Sequence, residues 1–298
     1  MRVAVTGASG LIGSALVPAL TARGHEVIRL VRRPATGPGE APWDPRAGTV
    51  DLEALQGIDA VVHLAGAGVG DKRWTDAYKA EIRDSRVQGT TTIAQAMASL
   101  DPKPAVLVCG SAIGYYGDTG DRAVTEESPQ GAGFLADVVA DWEASARPAA
   151  DAGIRVTYAR TGLVVSSKGG AWKRLMPIFK LGLGGKVGSG SQYWSFISLR
   201  DEVSALIALL EDDRYRGPVN LTAPDPVTNS EVTAAMGRVL GRPTVLPVPA
   251  FALKVALGEF SQDVLGSQRV LPTVLERDGF TWSDPSIDSA IRQAASGA

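Results

Sequence analysis

The stretch "TGASGLIG", residues 6–13, constrains the fold of this chain more than any other feature. It follows the apolar run "RVAVT", a predicted strand, and opens a segment whose apolar residues predict a helix ending at Gly24. In such a turn the first glycine permits a tight bend, and the second lets the backbone approach a pyrophosphate. The third allows the helix to pack closely against the strand. The pattern predicts a pyrophosphate on the helix N-terminus. The predicted contact residues are Gly7, Ser9, Gly10, Leu11, Ile12 and Gly13.

The first half of the chain alternates short apolar runs with helical segments. Further strands are predicted at 26–32, 59–66, 105–110 and 155–160, and helices at 74–99 and 131–152. Residues 34–48 are rich in proline and glycine and predict a loop. This alternation predicts an α/β fold, a Rossmann-type doubly wound parallel sheet with both faces covered.

Past residue 160 the rhythm weakens, and residues 161–194 are rich in glycine with two tryptophans. The later predicted elements are a helix at 200–212, a strand at 218–222, and helices at 228–240 and 249–259. We predict a nucleotide-binding domain over 1–160, joined by 195–222, and a smaller C-terminal lobe of 161–194 and 223–298. The lobe is expected on the substrate side, because such sheets bind ligands beyond the carboxyl ends of their strands.

The end of the second predicted strand indicates which dinucleotide is bound. A site for NAD usually places an acidic residue there, about 20 positions after the glycines. This chain has "LVRRP" instead, with Arg32 and Arg33. Guanidinium groups suit a 2′-phosphate by charge and by forked hydrogen bonding. We therefore predict NADP(H), with Arg32 as the main contact, against the alternative of two solvated arginines.

Composition excludes several other classes of protein. Thirty basic and 32 acidic residues give a net charge of −2, which argues against nucleic-acid partners and against an anionic membrane. No apolar run reaches the roughly 18 residues of a membrane helix, and "MRVAVTGASG" predicts a strand rather than a signal peptide. A single cysteine, Cys109, fits a reducing cytoplasm. With only His25 and His63, no histidine-based metal site is expected. Oligomeric state stays open.

Several motifs resemble those of the extended short-chain dehydrogenase/reductase superfamily. They are "TGASGLIG", "DAVVHLAG", "RVQGTTTIAQA", "SAIGYYG" and "WSFISLRDEVSALIALL". Over nearly the whole chain, "RWTDAYKAEIRDSR", "LGLGGKVGSGSQYWSFI" and "RVLPTVLERDGF" are similar to an uncharacterised epimerase-like family of atypical short-chain reductases, whose C-terminal module has no settled function. The resemblance implies NADP(H) binding. The further cofactor contacts that it implies are Arg32, Leu64, Ala65, Gly66 (in place of the superfamily's alanine), Glu81 and Arg86.

The catalytic pattern of that superfamily is missing. Its acid/base pair is Tyr-x-x-x-Lys, in which the lysine lowers the tyrosine pKa. None of the six tyrosines here has a lysine four residues later. The aligned positions are Leu135 and Val139, or Phe134 and Val138, none of which titrates; Asp137 is the nearest ionisable residue. Ala112 stands at the superfamily's catalytic serine position, and Arg86 replaces its helix asparagine.

Two hypotheses for function remain. The first is an NADP(H)-dependent oxidoreductase or epimerase-like enzyme acting on an unknown small molecule, in which the nicotinamide carries the hydride chemistry. Ser111 and Tyr116 are then the candidate catalytic residues beside a substrate carbonyl. The alternative is a non-catalytic NADP(H)-binding sensor or partner-binding protein. Arg160, at the end of a predicted strand, is open between a structural role and substrate contact.

Overall fold

The computed structural model describes residues 1–296, and strands alternate with helices through the first half of the chain. The strands are β1 (Arg2–Thr6), β2 (Glu26–Val31), β3 (Glu40–Asp44), β4 (Thr49–Val50), β5 (Ala60–His63), β6 (Val106–Ala112), β7 (Ala123–Val124), β8 (Arg155–Thr161), β9 (Leu163–Val165), β10 (Tyr193–Trp194), β11 (Phe196–Ser198), β12 (Gly217–Leu221), β13 (Val227–Thr228) and β14 (Arg269–Val270). The helices are α1 (Leu11–Ala22), α2 (Asp76–Ser99), α3 (Phe134–Ala144), α4 (Arg147–Asp151), α5 (Gly170–Lys180), α6 (Leu199–Glu211), α7 (Asn229–Leu240), α8 (Ala250–Leu257), α9 (Ser261–Leu265), α10 (Thr273–Arg277) and α11 (Ile287–Ala295). Short 3₁₀ turns span Ile113–Tyr116 and Gly258–Phe260.

The main sheet has the strand order β12-β8-β6-β5-β1-β2-β3-β4. All of its pairings are parallel except the one between β3 and β4. The order reverses direction between β1 and β5, which is the point where ligands bind in sheets of this kind. The predicted Rossmann-type doubly wound sheet is therefore confirmed.

Alternate residues of the central strands face opposite helical layers. Val3, Val5 and Val62 pack in one core cluster with residues of α1 and α6. Ala4 and Val61 pack in a second cluster with residues of α2 and α4. Because side chains alternate along a strand, covering both faces requires the near-continuous apolar runs seen in the sequence.

Two local predictions are wrong. The predicted loop 34–48 contains β3, which pairs with β2 because buried Trp43 and the carboxylate of Glu40 fix it there, despite Pro42. The predicted helix at 131–152 is interrupted after Ala144 and resumes as α4, with Pro148 in its first turn. Proline is tolerated there because the first-turn N–H groups have no partner within the helix.

The C-terminal part of the chain has a core of its own. Trp172, Phe179 and Met236 are buried there with residues of α5, α7 and α11. β12 does not belong to this core; it extends the main sheet at the edge beside β8. The loop that precedes α5 returns to the glycine turn, where a Cβ on Gly169 would lie 3.1 Å from the Leu11 side chain.

Candidate cofactor groove and active site

The turn between β1 and α1 is packed so tightly that it requires glycine. Gly7 has a φ of +64°, and a Cβ there would lie 2.8 Å from backbone atoms of Leu64. A Cβ on Gly13 would lie 2.2 Å from the carbonyl oxygen of Gly7. Gly10 is the N-cap residue of α1, it provides no side-chain cap, and the first turn has no acidic residue. Uncapped N–H groups and the helix dipole make this turn suitable for a phosphate.

A groove of about 1200 Å³ opens at this turn, between the end of β2, the segment after β5 and the side of α2. The predicted cofactor residues that line it are Gly7, Ser9, Gly10, Arg32, Arg33, Leu64, Ala65, Gly66 and Glu81. Leu11, Ile12, Gly13 and Arg86 are not among the residues on its wall. Leu11 and Ile12 pack instead against the core cluster of α1 and α6, so their predicted contact with the cofactor stays a prediction.

The two arginines after β2 have different partners. Arg33 donates to both carboxylate oxygens of Glu40 at 2.8 Å, and a nitrogen of Arg29 lies 3.1 Å from the same group. The hydrogen bonds from Arg33 lower the pKa of Glu40 to about 2. Arg32 is exposed on the groove wall and has no ion pair or hydrogen bond within residues 1–296. Arg32 is therefore free to contact an anionic ligand, whereas Arg33 is held by Glu40.

Thr6 fixes the segment that follows β5. Its hydroxyl accepts hydrogen bonds from the N–H groups of Leu64 at 3.0 Å and Ala65 at 3.1 Å. The same oxygen lies 2.8 Å from Nδ1 of His63. Because both lone pairs of the hydroxyl oxygen already accept N–H groups, its proton is donated to Nδ1, and His63 carries its own proton on Nε2. The backbone of the groove wall at Leu64 and Ala65 is thereby held in place.

Arg86 supports the same wall from α2. Its Nη1 donates to the carbonyl oxygens of Ala67 at 3.0 Å and Ile82 at 2.9 Å, and its guanidinium lies 5.0 Å from the ring of Trp142. Burial lowers the pKa of Arg86 to about 10. Glu81, on the same helix, does line the groove and lies 3.5 Å from Lys72. The geometry gives Glu81 access to a ligand and gives Arg86 a supporting position.

Ser111 and Tyr116 belong to one buried hydrogen-bond network. Ser111 Oγ donates to Glu143 at 2.6 Å, and Arg160 holds both oxygens of Glu143 at 2.8 Å. Arg160 also donates to the Tyr116 hydroxyl at 2.9 Å. That hydroxyl in turn donates to Oδ1 of Asn220 at 2.8 Å. The structure therefore brings the two predicted catalytic residues together through Glu143 and Arg160.

Both hydroxyl protons in this network already have acceptors. Tyr116 is 1% exposed, and burial raises its pKa to about 12 in spite of the neighbouring Arg160. Neither Ser111 nor Tyr116 is among the residues that line the groove. Their catalytic roles stay predictions, and each hydroxyl can donate to a substrate only after it releases its present acceptor.

The helix that should carry a Tyr-x-x-x-Lys pair presents apolar side chains instead. Val138 and Val139 on α3 are buried, and Phe134 and Leu135 are half-buried. Asp137 is exposed and accepts a hydrogen bond from Gln130 at 3.0 Å. No titratable group takes the place of the usual proton relay at these α3 positions.

Sequence reasoning missed three residues that organise the site. Glu40 lies in the segment predicted as a loop, so nothing indicated that it would reach Arg33. Glu143 stands in the "WE" pair, one turn after Val139 on α3, and nothing in the sequence distinguished it from Asp137 and Asp141 on the same helix. Asn220 was hidden within the apolar strand β12, where a buried polar residue indicates a hydrogen-bond partner.

The fold and the groove together define a Rossmann-type protein of the short-chain dehydrogenase/reductase class. Residues 3–221 match the family model described as the NAD dependent epimerase/dehydratase family, and the chain belongs to this family. Residues 248–294 match a domain of unknown function, DUF1731. The atypical, epimerase-like membership expected from the motifs is confirmed.

Similar proteins extend over nearly the whole chain. The epimerase family protein Mb2239 of Mycobacterium bovis is 47% identical over 293 residues, which cover 98% of this chain and 97% of that protein. The human epimerase family protein SDR39U1 is 34% identical over 297 residues, covering 98% of this chain and 99% of the human one.

Two solved structures show the same fold. A crystal structure of human SDR39U1 with NADPH has a TM-score of 0.92 and 32% identity, and the match covers 100% of both chains. A nucleoside-diphosphate sugar epimerase from Corynebacterium glutamicum has a TM-score of 0.81 and 37% identity, covering 98% of this chain and 57% of that one.

Two further findings concern residues 1–296. No helix among them is both long and apolar enough to cross a membrane. No group of three or more His, Cys, Asp or Glu side chains within this range is arranged to hold a metal ion.

Proposed function

We propose that the groove binds NADP(H) and that the protein is an NADP(H)-dependent oxidoreductase or epimerase-like enzyme acting on an unidentified small molecule. The observation that carries this proposal is the unpaired guanidinium of Arg32 on the groove wall, beside an uncapped glycine turn. The NADPH in the human relative's crystal structure supports the same cofactor here.

The residues of the groove fit a dinucleotide with a 2′-phosphate. The N-terminus of α1 would hold the pyrophosphate. Gly7 and Gly13 allow this turn to form, because a Cβ at either position would clash with neighbouring backbone atoms. Arg32 would contact the 2′-phosphate. The backbone of residues 64–66, held by Thr6, would form the wall beside the dinucleotide. When bound, the nicotinamide supplies or accepts the hydride.

The protein's own part in the chemistry is to position groups near the nicotinamide. We propose Ser111 and Tyr116 as the polar groups beside a substrate carbonyl. Glu143 and Arg160 hold them in place, and release of one acceptor would free a hydroxyl proton for the substrate. The apolar positions Leu135 and Val139 would exclude water from that region, which strengthens any hydrogen bond to the substrate.

We also propose a division of the chain. Residues 1–160 with 195–222 would form the NADP-binding domain, which the position of β12 in the main sheet supports. Residues 161–194 and 223–298 would form the substrate-side lobe, supported by its own core cluster; residues 297 and 298 lie outside the described part. A reducing cytoplasm is the proposed location, because the single Cys109 is buried and unpaired.

Binding of the cofactor is tested by comparing the two adjacent arginines. Arg32→Ala should weaken NADPH binding by about ten- to a hundredfold, as expected for lost charge-assisted hydrogen bonds, and leave NADH affinity unchanged. Arg33→Ala is the matched control and should change NADPH affinity only a few-fold, because Glu40 already holds that guanidinium. Fluorescence titration with both cofactors measures this. Equal losses for NADPH and NADH in Arg32→Ala would contradict the 2′-phosphate assignment.

Catalysis needs a separate measurement. We expect oxidation of NADPH in the presence of at least one member of a panel of small carbonyl compounds. Saturable NADPH binding without turnover of any of these compounds would contradict the proposal that the protein is an enzyme. It would favour the alternative of a non-catalytic sensor that binds the cofactor. The two outcomes are distinguishable because binding is measured independently.

A further inference from the structure

Exposed apolar side chains are concentrated in one region of the molecule. Apart from Met1 and Leu52, every large hydrophobic residue that is exposed within residues 1–296 lies between 178 and 183 or between 245 and 255. These residues are Ile178, Leu181, Leu183, Val245, Leu246, Phe251 and Val255. Phe251 and Val255, one turn apart on α8, are 71% and 73% exposed. No side chain of α8 is buried.

The two stretches lie side by side. The N–H of Val248 donates to the carbonyl oxygen of Lys186 at 2.8 Å, and the N–H of Gly188 donates back to Val248 at 2.9 Å. Arg242 Nε donates to the carbonyl oxygen of Lys180 at 2.9 Å. α8 begins two residues after Val248. Residues 178–186 and 242–255 therefore form one continuous surface, here called the apolar basic face.

The charge of this face has one sign. Lys180, Lys186, Arg242 and Lys254 are exposed on it, and neither stretch contains an aspartate or a glutamate. None of the four side chains forms an ion pair with another residue of the 1–296 range. The nearest acidic residue beyond α8, Glu259, is paired with Lys79 at 3.0 Å. Basic residues at the edge of an apolar patch are complementary to phosphate headgroups above an acyl layer.

We propose that the apolar basic face docks the protein on an anionic lipid bilayer. Phe251, Val255 and Leu181 would enter the boundary between headgroups and acyl chains, while Lys180 and Lys254 would contact lipid phosphates. Binding of this kind is peripheral and reversible, and requires no spanning helix. The inner surface of the cytoplasmic membrane carries the required negative charge.

A second copy of the chain fits this face less well than an anionic bilayer does. A two-fold interface would bring the same four basic side chains of each copy together, without acidic residues to balance them. The overall net charge of −2 argues against an anionic membrane only on average. At this face the two stretches contain no acidic residue, so the local charge is positive and favours an anionic membrane.

The test is co-sedimentation of the NADPH-loaded full chain with vesicles. We expect binding to vesicles of phosphatidylcholine mixed with an equal amount of phosphatidylglycerol, weakening as salt is raised, and none to phosphatidylcholine alone. The double change Lys180→Glu with Lys254→Glu should reduce partitioning at least about tenfold, since each basic residue contributes about fivefold near an anionic surface. Phe251→Ser with Val255→Ser should reduce it as well.

Matched controls change an exposed residue of the same type elsewhere. Lys103→Glu and Leu52→Ser lie outside the face and should bind vesicles like the unchanged protein. NADPH titration shows that each variant is folded, and it reports on the cofactor site separately. Lack of binding to the anionic vesicles would overturn the proposal, as would equal losses in the control variants. Dimerisation abolished by the Phe251 and Val255 changes would assign the face to a second copy instead.

Discussion

His63 is an uncharged residue sealed inside β5. Its ring is fully buried, Nδ1 accepts from Thr6, and Nε2 has no hydrogen-bond partner in the described part of the chain. Burial lowers its pKa from 6.5 to about 4. The folded protein therefore binds fewer protons than the unfolded chain between these two pH values, and its stability must decrease as the pH falls through that window.

The contribution of His63 to this pH dependence can be measured by replacing it with a residue that does not titrate. Between pH 6.5 and about 4, His63 should account for a loss of about 3 kcal/mol in the free energy of unfolding. His63→Asn keeps an acceptor near Nδ1, so urea denaturation should show a loss smaller by about that amount. His25→Asn is the control and should keep the full loss. If the free energy of unfolding decreased equally with falling pH in the unchanged protein and in His63→Asn, burial of this ring would not depress its pKa.

In helix α6, burial of an ionisable side chain makes stability depend on pH in the opposite direction. Glu202 lies in its first turn, is fully buried, and accepts a hydrogen bond from Thr161 at 2.8 Å on one oxygen only. Its other oxygen has no partner among residues 1–296. Burial raises the pKa of Glu202 from 4.5 to about 8. The folded state then binds the extra proton, so stability decreases as the pH rises from 4.5 to 8.

Glu202→Gln should stabilise the protein at pH 8. The amide keeps the bond from Thr161 and removes the ionisation, which together should raise the free energy of unfolding by about 2 to 4 kcal/mol. Glu211→Gln, at the other end of α6, should instead destabilise, because Arg23 pairs with that carboxylate and lowers its pKa. Thermal unfolding at pH 5 and pH 8 measures both. A gain for Glu202→Gln that does not grow with pH would contradict the raised pKa.

The elements that could be predicted from the sequence are those fixed by local pattern. β1, β5 and β6 are continuous apolar runs and the turn at Gly7 has a fixed spacing, so these strands and a dinucleotide site could be predicted. The preference for NADP(H) was predicted from Arg32 and Arg33, which follow β2. β3 could not be predicted, because Pro42 and Glu40 are accommodated by contacts with distant residues, which include pairing with β2 and the ion pair between Glu40 and Arg29. The same holds for the Ser111–Glu143 hydrogen bond, which joins residues 32 positions apart.

At the scale of the whole molecule, one chain of polar contacts joins the main sheet to the C-terminal segment. Tyr116 donates to Asn220 on β12, and the Asn220 side chain donates to the carbonyl oxygen of Leu271 at 2.9 Å. Glu126 accepts from the backbone N–H of Asn220 at 3.0 Å and from the hydroxyl of Thr273. These buried groups specify how the segment around β14 and α10 lies against the sheet.

The adjacent tyrosines test whether this network stabilises the whole molecule. Tyr116→Phe removes the donor to Oδ1 of Asn220 and the acceptor of Nη1 of Arg160, so the free energy of unfolding should fall by about 1 to 3 kcal/mol. Tyr115→Phe should change it little, because the Tyr115 hydroxyl has no hydrogen bond within residues 1–296. NADPH affinity should be unchanged in both, since neither residue lines the groove. Equal stability of the two variants in urea denaturation would contradict a stabilising role for the network. Weaker NADPH binding in Tyr116→Phe alone would instead show that this hydroxyl contacts the bound cofactor.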